Sequence, residues 1–395
     1  MKQVIRKKLI DEGIAKVAEP TKLTLLVDGN SILKQSLVDE TVGTNGKEYG
    51  AIMQCFIIIK RLMRMRDWQS VYVVFDGDNS GQLRYEMYSE YKANRDKNFK
   101  DPNKSDYDKA IDDYCKKVLA YSKKKKALNE KQLQRKETDD ERFEHQRNLF
   151  IEMCDCLSIR TLMYDDVEGD DVIAYIVKNK DKNEKICIVS GDRDLTQLIS
   201  EDVCLYVTQK REIVTDKNSV EKLGYTHENV VLVKMLCGDA SDNIKGVSGM
   251  GQETFFKYFP QARTEKVDLG FIFDRCRVLN EERKKNKQKP LKVLENVLNR
   301  VTKGSQGKDL YEINEKLIDL SKHILLTTEA KEDLENVVGA PLDPEGRDFK
   351  YLYEIINTNG MSKLLEENQF GGFFSDFAKL MDNEKKYYKK MILGG

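Results

Sequence analysis

The chain has 395 residues, 40% of them hydrophobic, which is enough for one large domain or two modest ones. Its 67 basic and 67 acidic side chains cancel to zero formal charge, and 6 prolines with 24 glycines exclude collagen-like and low-complexity architectures. Eight scattered cysteines make no zinc-ligand spacing, and 3 histidines supply a histidine-based metal site or catalytic triad poorly.

No apolar run approaches the ~20 residues of a membrane span. The amino terminus carries positive charge but no hydrophobic stretch behind it, so no signal peptide is expected. These features predict a soluble, reduced, intracellular protein with no membrane partner.

Residues 23–27 read as a short apolar strand that ends at Asp28-Gly29-Asn30-Ser31. Helical spacing covers residues 52–65, and residues 71–75 form a second apolar strand that ends at Asp76-Gly77-Asp78. Residues 84–95 interleave bases with tyrosines, from Arg84 through Tyr91 and Lys92 to Arg95, which suits contact with phosphates and unstacked bases. Their ordinary alternative is an exposed helix whose tyrosines pack inward. Residues 96–147 are rich in charge and lack glycine, and read as long, poorly buried helices.

Glu168-Gly169-Asp170-Asp171 precedes an apolar helix at 172–177, and a third strand at 186–189 runs into Ser190-Gly191-Asp192-Arg193-Asp194. A second composition shift falls near Tyr225. Beyond it lie Gly238-Asp239-Ala240-Ser241-Asp242-Asn243 and a segment with Gly246, Gly249 and Gly251 next to Lys245. Such a segment permits a tight turn between helices with backbone N–H groups free to bind phosphate. The remainder is largely helical, with a basic run at 283–289 and a break near 341–346. The expected organisation is a core over 1–224 that includes the charged insertion, a helical region over 225–345, and a helical carboxyl-terminal segment over 346–395.

Apolar strands separated by helices indicate a parallel sheet with crossover connections, whose ligands bind at the carboxyl ends of the strands. Three strands ending in acids therefore present carboxylates at one edge. Asp28, Asp76, Glu168, Asp170, Asp171, Asp192, Asp194, Asp239 and Asp242 form the candidate set. All-oxygen ligands suit hard divalent ions, and two such ions about 4 Å apart can hold both the attacking and the leaving oxygens of a phosphoryl displacement. Each acid alone has an ordinary alternative: Asp28 as a turn residue, and Asp170, Asp192 or Asp194 as helix caps. Their convergence favours chemistry.

Six motifs in order then resemble the 5′ nucleases, or flap endonucleases. They are Leu26-Val27-Asp28-Gly29-Asn30, Val73-Val74-Phe75-Asp76-Gly77, Glu90-Tyr91-Lys92-Ala93-Asn94-Arg95, Val167-Glu168-Gly169-Asp170-Asp171, Val189-Ser190-Gly191-Asp192-Arg193-Asp194 and Gly238-Asp239-Ala240-Ser241-Asp242-Asn243. The chain is similar to stand-alone bacteriophage enzymes and to the 5′-nuclease domain of bacterial DNA polymerase I. The resemblance implies a PIN-like α/β core, a helical arch over the active site and a helix–three-turn–helix DNA-binding element.

It further implies a first Mg²⁺ or Mn²⁺ among Asp28, Asp76, Glu168, Asp170 and Asp171. A second would lie among Asp194, Asp239 and Asp242, with Asp192 between the two. Lys92 and Arg95 would contact the scissile phosphate and Tyr91 would stack on a base, while a K⁺ ion at the three-turn element would bridge to DNA. The expected substrate is DNA with a 5′ flap or 5′ end, with an RNA–DNA hybrid compatible. The expected state is a monomer that meets other replication proteins in bacterial cytoplasm, or in host cytoplasm for a phage-encoded chain. A PIN-type ribonuclease and an inactive DNA-binding scaffold are the alternatives, and metal-dependent cleavage separates the scaffold from the enzyme.

Overall fold

The computed structural model describes residues 21–93, 139–302, 310–341, 347–367 and 373–393. Arg95 and most of the expected arch lie outside the described residues. Strand β1 (Lys22–Asp28) leads into helix α1 (Gly29–Ser36), α2 (Gly50–Met63), β2 (Ser70–Val74) and the short α3 (Gln82–Met87). Helix α4 (Asp139–Asp155), β3 (Arg160–Leu162), α5 (Gly169–Lys178) and β4 (Glu184–Ser190) follow, with β5 (Val203–Val207) and β6 (Glu212–Val214) completing the sheet. The order is β3-β2-β1-β4-β5-β6, parallel throughout except for the antiparallel β6. β1 is thus the strand from which the order runs outward in both directions, and a crevice opens beside such a switch point at the carboxyl ends.

The two-residue side-chain period of a strand explains why both faces are buried. Leu25 and Val27 of β1, Val71 and Val73 of β2, and Val189 of β4 enter one apolar layer, with α1, α2 and α4. Leu26, Tyr72, Val74, Ile186 and Ile188 enter the other, with α5. A slip of one residue would exchange the two layers, so the register is fixed by both at once.

Two expectations change here. Helix α4 buries Arg142, Gln146, Leu149, Phe150 and Met153, and Gln146 Oε1 accepts from the Ala51 N–H at 3.1 Å. Residues 139–147, expected in the charged insertion, therefore pack on the core through Arg142 and Gln146, four residues apart on one helical face. The carboxyl-terminal segment is likewise no separate unit: Leu352, Ile356, Phe377 and Leu380 complete the α2–α4 layer.

A third apolar cluster starts around Tyr225 and Leu232. It joins α6 (Ser219–Leu223) and α7 (Val230–Cys237) to a two-residue hairpin, β7 (Gly238–Asp239) and β8 (Ile244–Lys245). Helices α8 (Gln252–Tyr258), α9 (Leu269–Lys285), α10 (Lys292–Leu298) and α11 (Leu310–Ile318) surround that hairpin. Among the described residues, no helix is long and apolar enough to cross a membrane.

Candidate functional site

The acids gather where the sheet topology predicts. Asp28 closes β1, Asp76 and Asp192 follow β2 and β4, and Asp170 opens α5 after β3. Together with Glu168, Asp194 and Asp242 they line one cleft of about 470 Å³. Asp28 serves two purposes: its Oδ1 caps α1 by accepting from Ser31 N at 2.9 Å, and its Oδ2 accepts from the Ser190 hydroxyl at 2.6 Å. Ser190 Oγ in turn accepts from Asp192 N at 2.8 Å, so one hydroxyl ties the ends of β1 and β4. Gly169 N donates to Asp76 Oδ1 at 2.8 Å, which ties α5 to β2.

The electrostatics of these carboxylates divide into three groups. Burial, with Asp76 and Asp192 adding repulsion, pushes Asp28 up to about 7 against its two hydrogen bonds. Burial and the charges of Asp192, Asp28 and Asp76 push Asp170 well above the usual range. Burial works against Glu168 too, yet Arg84 and Lys92 beside it hold its carboxyl below the usual range. In the last group, ligand atoms of Asp194, Asp239 and Asp242 all lie within 4.8 Å of one another. There Lys234 Nζ pairs with Asp194 and, at 2.6 Å, with Asp239. Burial and then Asp192 still push Asp194 up to about 7.

These residues fit hard divalent ions. Among the described residues, Asp28, Asp76, Asp170 and Asp192 converge without an ion pair to a lysine or arginine, and such mutual repulsion is what a cation relieves. Asn30 Oδ1, buried and lining the same cleft, has no hydrogen-bond donor among the described residues and adds a neutral oxygen to the set. Around Asp194, Asp239 and Asp242 the ammonium of Lys234 holds a place that a cation suits.

Three expected residues are placed differently. Asp171 is 0% exposed and turned from the cleft: Arg84 Nη1 and Nη2 lie 2.5 and 3.2 Å from its two oxygens, and Leu325 N donates to it at 2.9 Å. Both its oxygens are engaged inside the protein, which removes it from the ligand set. Arg84, expected on the nucleic-acid surface, is 3% exposed; it also pairs with Glu168 at 2.9 Å and donates from Nε to Leu317 O at 3.1 Å. Tyr91, expected to stack on a base, is 4% exposed and packs in the third cluster, its hydroxyl 3.1 Å from Glu168. Lys92, by contrast, lines the cleft, paired with Glu168 at 2.6 Å.

In the glycine segment, a Cβ at Gly246 would collide with the backbone of Cys237 and Gly238, so β8 can approach α7 only without a side chain. Gly249 has φ +84, and Gly251 lies in open space before α8. Lys245 is exposed and paired with Glu90. Sequence reasoning missed Lys234, Ser190 and Asn30. The signal for Lys234 was present: it is the one charged residue in the otherwise apolar α7.

The fold is that of solved 5′ nucleases. The zinc-bound T5 5′-exonuclease superposes with a TM-score of 0.52 at 20% identity, over 86% of this chain and 100% of that one. The bacteriophage T5 D15 flap endonuclease in a complex with DNA and metal ions gives 0.50 at 21%, over 85% and 100%. A mostly parallel sheet with crossover helices is the fold this chain shares with these neighbours.

A family model described as the 5′-3′ exonuclease, N-terminal resolvase-like domain, matches residues 23–224, just over half of the chain. The chain belongs to that 5′-3′ exonuclease family. Among curated relatives, DNA polymerase I of Bacillus subtilis is 35% identical over 132 residues, 32% of this chain and 15% of the polymerase. The thermostable DNA polymerase I of Thermus filiformis is 29% identical over 239 residues, 60% of this chain and 23% of the polymerase. The chain thus spans under a quarter of the length of these two relatives.

Proposed function

We propose that this protein hydrolyses DNA phosphodiesters at 5′ flaps or 5′ ends with the help of two divalent ions, Mg²⁺ or Mn²⁺. The observation that carries the reading is the convergence of seven carboxylates on one cleft, several of them held above their ordinary pKa by burial and by one another's charge. Asp28, Asp76, Asp170 and Asp192 would hold one ion, with Glu168 beside them, and Asp194, Asp239 and Asp242 the other. Divalent ions there would supply a water activated at neutral pH and countercharge for a leaving oxygen.

The chain's own residues do the rest. Ser190 fixes Asp28 and the backbone before Asp192, so the ligand oxygens are oriented before any substrate arrives. Lys92, which lines the cleft beside Glu168, would meet the charge that builds on the phosphate. Lys245 and the segment from Gly246 to Gly251 hold the duplex through its phosphates, without reading sequence. The family relationship and the T5 neighbours support this reading.

The test is a duplex with a labelled 5′ flap, in Mg²⁺, in EDTA, and with Asp192→Asn. Mg²⁺-dependent cutting near the junction, lost in Asp192→Asn while DNA still binds, is expected. Binding without cutting in either ion would return the protein to the scaffold alternative. A parallel arm with an RNA 5′ segment reads tolerance of a hybrid.

A further inference from the structure

The basic run at 283–289 takes no part in the cleft: none of residues 283–292 lines it. Those ten positions hold six cations and no acid, in a chain whose charges sum to zero overall. The last turn of α9 carries Arg283, Lys284 and Lys285, and the chain then folds back on itself. Arg283 Nε donates to Lys289 O at 2.8 Å, Gln288 N donates to Arg283 O at 2.8 Å, and Leu291 N donates to Asn280 Oδ1 at 2.8 Å. These bonds close the loop, so its cations form a cluster rather than a trailing string.

The loop is also anchored. Helix α10 begins directly after it, and Asn296 Nδ2 donates to Ser248 O at 2.9 Å while Ser248 N donates to Val301 O at 2.8 Å. Val293 lies under Gly249, 3.6 Å from where a Cβ there would stand. One rigid element therefore joins the basic loop to the glycine turn.

Lys284, Lys285, Lys287, Lys289 and Lys292 are all exposed, and none forms an ion pair with a carboxylate among the described residues. Protein interfaces are depleted in lysine and depend on buried aromatic or aliphatic anchors. This loop offers Pro290 and a partly buried Leu291, and no aromatic. Clustered, unpaired ammonium groups without an apolar anchor match a phosphate backbone instead.

We propose that the α9–α10 loop is a second phosphate-binding surface for duplex DNA. It is continuous with the glycine turn and engages the part of the duplex beyond that turn. The proposal rests on the nuclease reading above for its substrate. The loop adds affinity without adding chemistry, so a duplex too short to reach it gains nothing from it.

The test compares the wild type with a variant carrying Lys284→Gln, Lys285→Gln, Lys287→Gln and Lys289→Gln. All four side chains are exposed, and matching thermal melts by circular dichroism verify the fold. Binding to flap substrates with a short and a long duplex is followed by fluorescence anisotropy in EDTA across a range of KCl concentrations. On the long duplex the slope of log K against log salt should fall by about 2, the loss of roughly two phosphate contacts. The short duplex should bind as before, and the four corresponding Lys→Arg changes should restore the slope.

An unchanged slope, or an equal loss on both duplexes, overturns the proposal, and the first outcome would point to an acidic protein surface as the loop's partner. A wild type that cuts no flap in Mg²⁺ would sink the nuclease reading separately, because the slope is read without metal or turnover.

Discussion

Arg84 is the most consequential buried charge near the cleft, and replacing it with methionine tests the account of the acids around it. Its guanidinium spans Asp171 and Glu168 and ties both to Leu317 O, so one side chain joins α3, α5 and the end of α11. In Arg84→Met, Glu168 keeps Lys92 and the Tyr91 hydroxyl. Asp171, fully buried, keeps only the Leu325 N–H. Breaking a buried pair from one side costs about 3–5 kcal/mol, because an uncompensated charge is left behind. With a urea m-value of about 3 kcal/mol/M, that is a fall of roughly 1–1.7 M in midpoint.

Trp68, the single tryptophan, is buried against the core and gives a fluorescence readout of that transition. Adding Asp171→Asn keeps an acceptor for Leu325 N while removing the charge, so the double variant should recover about half of the loss. The reasoning is refuted when Arg84→Met costs less than about 1 kcal/mol, or when the double variant is no more stable than the single one.

Lys234→Met removes the ammonium that competes for Asp194 and Asp239, so calorimetric titration with Mn²⁺ should show tighter binding at one site; weaker binding would mean that Lys234 helps to hold the ion. Asp28 and Asp194 are both raised to about 7 in the folded chain, against about 4 when unfolded. Their folded state binds more protons, so the contribution of this pair to metal-free stability should be full below about pH 4 and be lost as pH rises through 7. Mg²⁺ should therefore raise the melting temperature more at pH 7.5 than at pH 5, and an equal rise at both would contradict the assignment. Gly246→Ala forces backbone against backbone and should cost about 1–3 kcal/mol in chemical denaturation. Gly251→Ala meets open space and should leave the denaturation midpoint unchanged.

Much of this arrangement was legible in the sequence because the signals are local. Short apolar runs ending in Asp28, Asp76 and Asp192 define strands and their carboxyl ends within a few residues each, and parallel pairing then brings those ends together. The glycine segment was legible for the same reason, since Gly246 and Gly249 answer to immediate backbone needs. Residues 139–147 misled because charge dominates their composition, whereas the face that packs is set by a few positions, among them Gln146.

The sequence by itself determined which acids exist, in what order, and at which ends of which elements. Only the tertiary structure decided which of them remain free. Asp170 and Asp171 are neighbours in a motif of identical chemistry, yet one lines the cleft and the other is neutralised inside the protein. That division depends on Arg84, 87 residues from Asp171 in the chain, and on the Leu325 N–H, 154 residues from it on the other side. Burial and ion pairing act through space, so whether a carboxylate is silenced by a partner or left lining the cleft cannot be read from its neighbours in sequence.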